Sequence, residues 1–200
     1  MDEARFWEIV DEAVAAAGGS LEEEGRLIVS TLVDEGADGC RGFQERLFEV
    51  IERGYVWNLV GAAEIVGIGS GGDAYMEFVC WLIAQGKDAF HEVLEDPNSL
   101  ADYETRDPAE EWRYDELVYL PSQAHEVLTG DELDGYPDEP DEPEGDPLED
   151  ADDYRERFPE LIARWGAPDV YGDDEDEDDE DDYESDYGGG GDDDGDDYEE

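Results

Sequence analysis

The sequence predicts an all-α fold, a compact multi-helix bundle with a disordered acidic C-terminal tail. Three observations carry that prediction. Apolar residues recur at three-to-four spacing from Phe6 onward. No segment alternates apolar and polar residues for long, and no Asn-Gly or Asp-Gly turn sits between two β-branched runs. The charge, −53 over 200 residues, is unevenly spread: −21 over residues 1–130, −13 over 131–171 and −19 over 172–200, where no basic side chain occurs. A ribbon of that composition cannot bury enough apolar surface to fold alone. The five Trp, eleven Tyr and six Phe are too many for a fully disordered chain, and most precede it.

The elements follow in order. Phe6, Ile9, Val10, Ala13, Val14 and Ala17 share one helical face, and Gly18-Gly19 stops the segment. Ser20-Leu21-Glu22-Glu23 is a capping box; the helix it opens sets Leu21, Ile28 and Leu32 on one face and is expected to end near Gly36. Phe43, Leu47, Val50 and Ile51 mark a third helix that stops at Gly54. Residues 55–86 are the least polar part. Val56, Trp57, Leu59, Val60, Ala63 and Val66 lead into a glycine-rich turn, where Ser70 to Asp73 offers a looser capping box. The helix over 73–85 is apolar on nearly every face, which places it at the centre of the bundle. Phe90, Val93 and Leu94 form a short helix ended by Asp96-Pro97. Asp107-Pro108-Ala109-Glu110 is a cap, a first-turn proline and a capping-box Glu in the right order. Its helix is expected to carry Trp112, Leu117, Leu120, Val127 and Leu128, with Pro121 kinking or splitting it. The domain organisation read from this is a helical domain over 1–130, a Pro- and acid-rich linker over 131–150, a docking helix over 151–171 built on Tyr154, Phe158, Leu161, Ile162 and Trp165, and the tail over 172–200.

Composition also bounds location and partners. Met1-Asp2-Glu3 has the wrong sign for a secretory leader, and the longest apolar run, residues 78–84, is far short of a membrane span. Cys40 and Cys80 form no CxxC and read as two buried thiols in a reducing cytoplasm. Strong acidity repels nucleic acid and anionic membrane, so neither is expected as a direct partner. It leaves adaptation to a salty cytosol, where the Debye length falls to about 3 Å at 1 M, or a surface shaped for a basic protein.

The residues that carry chemistry are few. Asp88, His91, Glu92 and Glu95 lie at helical spacing, a weak candidate for a divalent metal because only one His takes part. An exposed helix face is the plainer account. His125-Glu126 reads as packing or surface rather than a general base. Gly67-Ile68-Gly69-Ser70-Gly71-Gly72 is neither a nucleophile elbow nor a Walker loop; a tight interhelical turn explains it, and no cofactor is expected. In the tail, Asp174, Asp176 and Asp178 echo calcium-loop spacing without the glycine or flanking helices, and Gly188 to Asp193 gives one imperfect turn of a calcium β-roll. Tyr183, Tyr187 and Tyr198 can anchor the ribbon on a basic partner, against a simple solubilising role.

Three stretches carry a family resemblance: Trp57-Asn58-Leu59-Val60-Gly61-Ala62-Ala63, Trp81-Leu82-Ile83-Ala84-Gln85-Gly86-Lys87 and Leu94-Glu95-Asp96-Pro97-Asn98-Ser99-Leu100. Together with the opening Phe6-Trp7-Glu8-Ile9-Val10 and Phe158-Pro159-Glu160-Leu161, they resemble the bacterial domain of unknown function family 4240 over about residues 1–166. The resemblance implies a small helical domain and no assigned activity. The family pattern sets a pair of acids before the central helix and an Arg just before Trp-Leu-Ile. Gly72-Asp73 and Val79-Cys80 stand there in this chain, so a polar site of the family at that place is partly lost.

The functional expectation is a non-catalytic, cytoplasmic protein-interaction module, with a basic protein as partner through the acidic surface or tail. The alternatives are a small enzyme or ligand binder with a pocket near Trp57, Glu64, Asp73, Tyr75 and Trp81, and an acidic mimic of nucleic acid.

Overall fold

The computed structural model describes residues 1–137, 140 and 142–168, and the expectations for the tail lie outside the described residues. Asp2 accepts a hydrogen bond from the Arg5 amide at 2.8 Å and caps α1 (Glu3–Ala17), which Gly18 closes in the left-handed region at φ 62°. Ser20 caps α2 (Leu21–Arg53) by accepting from the Glu23 amide. The expected stop at Gly36 is a kink. Gly36 takes φ 81° and ψ 177°, then the chain re-enters helix at once, so residues 37–42 belong to the second arm of α2 rather than to a loop. α2 packs against α1 along one flank, burying Phe6 and Phe43 with ring centroids 4.8 Å apart.

Next come α3 (Trp57–Ile65), α4 (Gly72–Ile83) and α5 (Lys87–Glu95). α4 buries Tyr75 and every residue from Phe78 to Ile83, and it contacts α2, α3 and α5. No side chain caps its first turn: Gly71, not Ser70, takes the cap position, so the looser capping box does not form. A 3₁₀ turn over Pro97–Asp102 follows, with Asp96 accepting from the Asn98 amide.

The largest departure from expectation lies in residues 108–129. In place of one helix split at Pro121 there is a single turn, α6 (Pro108–Glu111), a 3₁₀ turn over Asp115–Tyr119 and then α7 (Leu120–Thr129). The reason is tertiary. Trp112 and Tyr114 are both buried, yet residues two apart point to different sides of a helix and cannot enter one core together. The chain opens instead, the Tyr114 amide donates to Glu77 O at 3.0 Å, and its hydroxyl donates to Leu21 O at 3.0 Å. Pro121 then sits in the first turn of α7, where its missing N–H costs nothing. Val127 and Leu128 are exposed there.

Residues 131–137 and 142–150 run across the body without helix. His125 Nδ1–H donates to Asp131 O at 2.7 Å, and Gln44 Nε2 donates to Asp134 O at 3.2 Å. Val56 and Glu144 form a parallel bridge, in which the Trp57 amide donates to Glu144 O and the Glu144 amide to Tyr55 O, both at 2.9 Å. Beyond it the expected docking helix is two: α8 (Ala151–Arg157) and α9 (Pro159–Trp165). Pro159 disfavours helical geometry at Phe158, whose ψ of 47° turns the chain. Tyr154, Phe158 and Leu161 all enter the core. Among the described residues the fold is all-α, with that one bridge as its β-type pairing.

Candidate functional site

The end of α2, the start of α4 and the strap that follows α7 enclose a cavity of about 200 Å³. Ile51, Met76 and Val79 line it with aliphatic surface, Tyr55, Tyr75 and Tyr136 with rings, and Pro137 and Pro140 from the strap; Glu52 and Asp73, both exposed, complete the lining. Its position follows from local rules. Gly54 ends α2 and turns Tyr55 toward α4, and the Tyr75 hydroxyl donates to Gly54 O at 2.7 Å, tying the two helices together. Tyr55 and Tyr75 meet edge to face with centroids 5.6 Å apart. Burial pushes the Tyr75 phenol well above its ordinary range, with a smaller push from Tyr55, so it acts as a fixed donor and not as a base. Tyr136 is held in place by Tyr119, whose hydroxyl lies 3.1 Å from its own. That hydrogen bond, then burial, raises the Tyr136 phenol too, and the charges of Tyr119 and Asp73 add to it.

The other residues named from sequence go elsewhere. The Glu64 carboxylate accepts a hydrogen bond from Tyr154 of α8. Trp57, half buried, uses its amide on Glu144 O, and its side chain packs against the core. Trp81 stacks on Trp112 at 4.8 Å and 14° and stands edge-on to Tyr103, in an aromatic cluster that Trp165 completes. The cavity thus holds Asp73 and Tyr75 of the five residues named, and adds Glu52, Tyr55 and Tyr136. Tyr136 was hidden by a stretch whose prolines and acids read as linker; its aromatic ring, with Leu133 and Leu148, is the signal there that pointed to packing.

On α5, His91 Nδ1 lies 2.8 Å from Lys87 O, and its ring packs on Trp7 and Phe90 at 5.7 Å each. Asp88, Glu92 and Glu95 are exposed, and among the described residues no three His, Cys, Asp or Glu side chains converge on a metal-sized point. Cys40 and Cys80 are free thiols, both buried, and burial raises both. No helix among the described residues is long and apolar enough to cross a membrane.

Two of the three stretches that carry the family resemblance have structural work. In Leu94 to Leu100, Asn98 Nδ2 donates to Arg157 O at 2.8 Å and its Oδ1 accepts from the Glu160 amide at 3.1 Å, clamping the α8–α9 corner. In Trp57 to Ala63, Gly61 makes room for Leu148 and for Phe158 of the same corner. A family model, that of proteins of unknown function DUF4240, matches residues 1–127 and so ends inside α7, short of Phe158 to Leu161. No curated protein and no solved structure matches the chain.

Proposed function

This chain belongs to the DUF4240 family of proteins of unknown function, and we propose that it works without catalysis, as a helical module that binds a basic protein partner. The observation that carries this reading is how its cations are used. Among the described residues, seven of the ten arginines (5, 26, 41, 46, 53, 113 and 155) sit in ion pairs with the chain's own carboxylates. Arg157 and Arg164 are turned onto backbone carbonyls. Residues 1–130 still carry a net charge of −21, so most carboxylates meet solvent without a counter-charge of their own. Such a surface attracts and orients a basic protein over distances of about 10 Å at 0.1 M salt. Enzymatic chemistry is left out of this reading because the buried thiols and phenols are shifted the wrong way for a nucleophile or base: burial first raises Cys40, Cys80, Tyr75 and Tyr114, away from the thiolate or phenolate.

Titrating the full chain with a labelled short peptide of alternating Arg and Gly, read by fluorescence anisotropy, tests the reading. Binding at low salt that weakens steadily toward 1 M supports it. No binding at low salt overturns it, as does turnover of a substrate that is lost on Asp73→Asn.

A further inference from the structure

We infer that the cavity between α2, α4 and the strap is a receptor for one arginine side chain of the partner, an inference that rests on the basic-partner reading above and deepens it. Three features of the cavity agree on this occupant. Its size, about 200 Å³, is below the roughly 300–1,000 Å³ of pockets for drug-sized ligands and suits a single long side chain. Its walls are the rings of Tyr55, Tyr75 and Tyr136 and the thioether of Met76, surfaces on which an aliphatic stem is buried and a guanidinium plane stacks. Its lining includes Glu52 and Asp73, both exposed, and neither carboxylate makes an ion pair or a side-chain hydrogen bond among the described residues. The arginines nearest in sequence are already engaged elsewhere: Arg53 donates to Glu3 at 3.0 Å and Arg46 pairs with Glu49.

The combination selects among ligands. An anion is repelled by the two carboxylates, and a neutral apolar group leaves them unanswered. A lysine ammonium answers the charge and is drawn to aromatic rings, but it has no plane to stack on them and no fork for two carboxylates. A guanidinium does both, because it forks onto carboxylates and stacks on aromatic planes. The tyrosines are fixed before binding, Tyr75 by Gly54 O and Tyr136 by Tyr119, so little side-chain freedom is lost when the cavity fills.

The chain has two methionines, Met1 and Met76, so methyl-labelled methionine gives two signals, with one lining the cavity and the other at the N-terminus beside Gly42 of α2. N-acetylarginine methylamide added to the full chain is expected to shift the Met76 signal saturably and to leave Met1 in place. The lysine and citrulline counterparts shift it far less. Glu52→Gln with Asp73→Asn weakens the arginine titration by about tenfold, the combined effect of two exposed charge contacts, and leaves the spectrum of the unbound protein otherwise unchanged. An unmoved Met76, an equal response to lysine or citrulline, or an undiminished titration in the double variant overturns the inference. Its failure is separable from failure of the broader reading. If the Arg/Gly peptide binds while Met76 stays still, the acidic surface binds but the cavity does not. If the arginine analogue shifts Met76 while the peptide fails to bind, the cavity stands and the basic-protein partner falls.

Discussion

Phe158 lies so close to Gly61 that a β-carbon on the glycine would sit 2.8 Å from its ring atom Cε2, and nearer still to Leu148 Cδ1. Gly61 is helical, in the middle of α3, so the glycine is there for approach and not for backbone freedom. It is the socket into which the segment after residue 147 docks.

Gly61→Ala is therefore expected to destabilise the fold by about 1–3 kcal/mol through overpacking. A helix-favouring change would otherwise stabilise by about 1 kcal/mol, so the sign is diagnostic. Urea unfolding measures it. Combining Leu148→Ala with Gly61→Ala should cost less than the sum of the two single changes, because the pair share one space; an additive double variant would show that the socket is not the cause.

Asn98 holds the same corner with polar atoms. Asn98→Ala removes the donor to Arg157 O and the acceptor from the Glu160 amide, leaving two backbone groups to find water. The expected cost is about 1–3 kcal/mol, with amide exchange accelerating first in residues 157–165. Uniform acceleration across α1 and α2 would contradict a local clamp.

Glu24 is only 3% exposed, its Oε1 has no hydrogen-bond partner, and burial pushes its carboxyl from 4.5 up to about 8. The folded state thus holds a proton that the unfolded chain releases. Below about pH 4.5 both states are protonated and the group costs nothing; between 4.5 and about 8 stability is lost as pH rises, and above that the loss is complete. Glu24→Gln, which mimics the protonated form, should match the parent near pH 4 and exceed it by about 3 kcal/mol at pH 7. Denaturant midpoints at the two pH values check this, and an equal difference at both would rule out titration of Glu24.

Salt discriminates between two accounts of the charge. If the acidic body is adapted to a salty cytosol, its melting temperature should climb steeply as KCl is added, because screening relieves repulsion that the ion pairs do not offset. A melting temperature unchanged between low and 1 M KCl would remove that account and leave the binding surface.

Local rules written in the chain determined the helical class and several helix ends. Ser20 caps α2 as its spacing requires, Gly18 closes α1, and the run from Phe78 to Ile83 is buried as its all-round apolarity demands. These depend on hydrogen bonds and burial within a few residues, so they are legible one segment at a time. The break at Trp112, the passage of residues 131–137 and 142–150 across the body and the cavity were decided by tertiary structure. Trp112 leaves the helix because Trp81, thirty-one positions earlier, offers a stacking face; Tyr136 becomes a wall because Tyr119 holds it. Asp73 and Tyr75 were legible as candidates, but Glu52, Tyr55 and Tyr136 join them only when α2, α4 and the strap meet. Periodicity reports which side of an element faces inward. What it faces is set by packing between segments far apart in sequence, which no local pattern encodes.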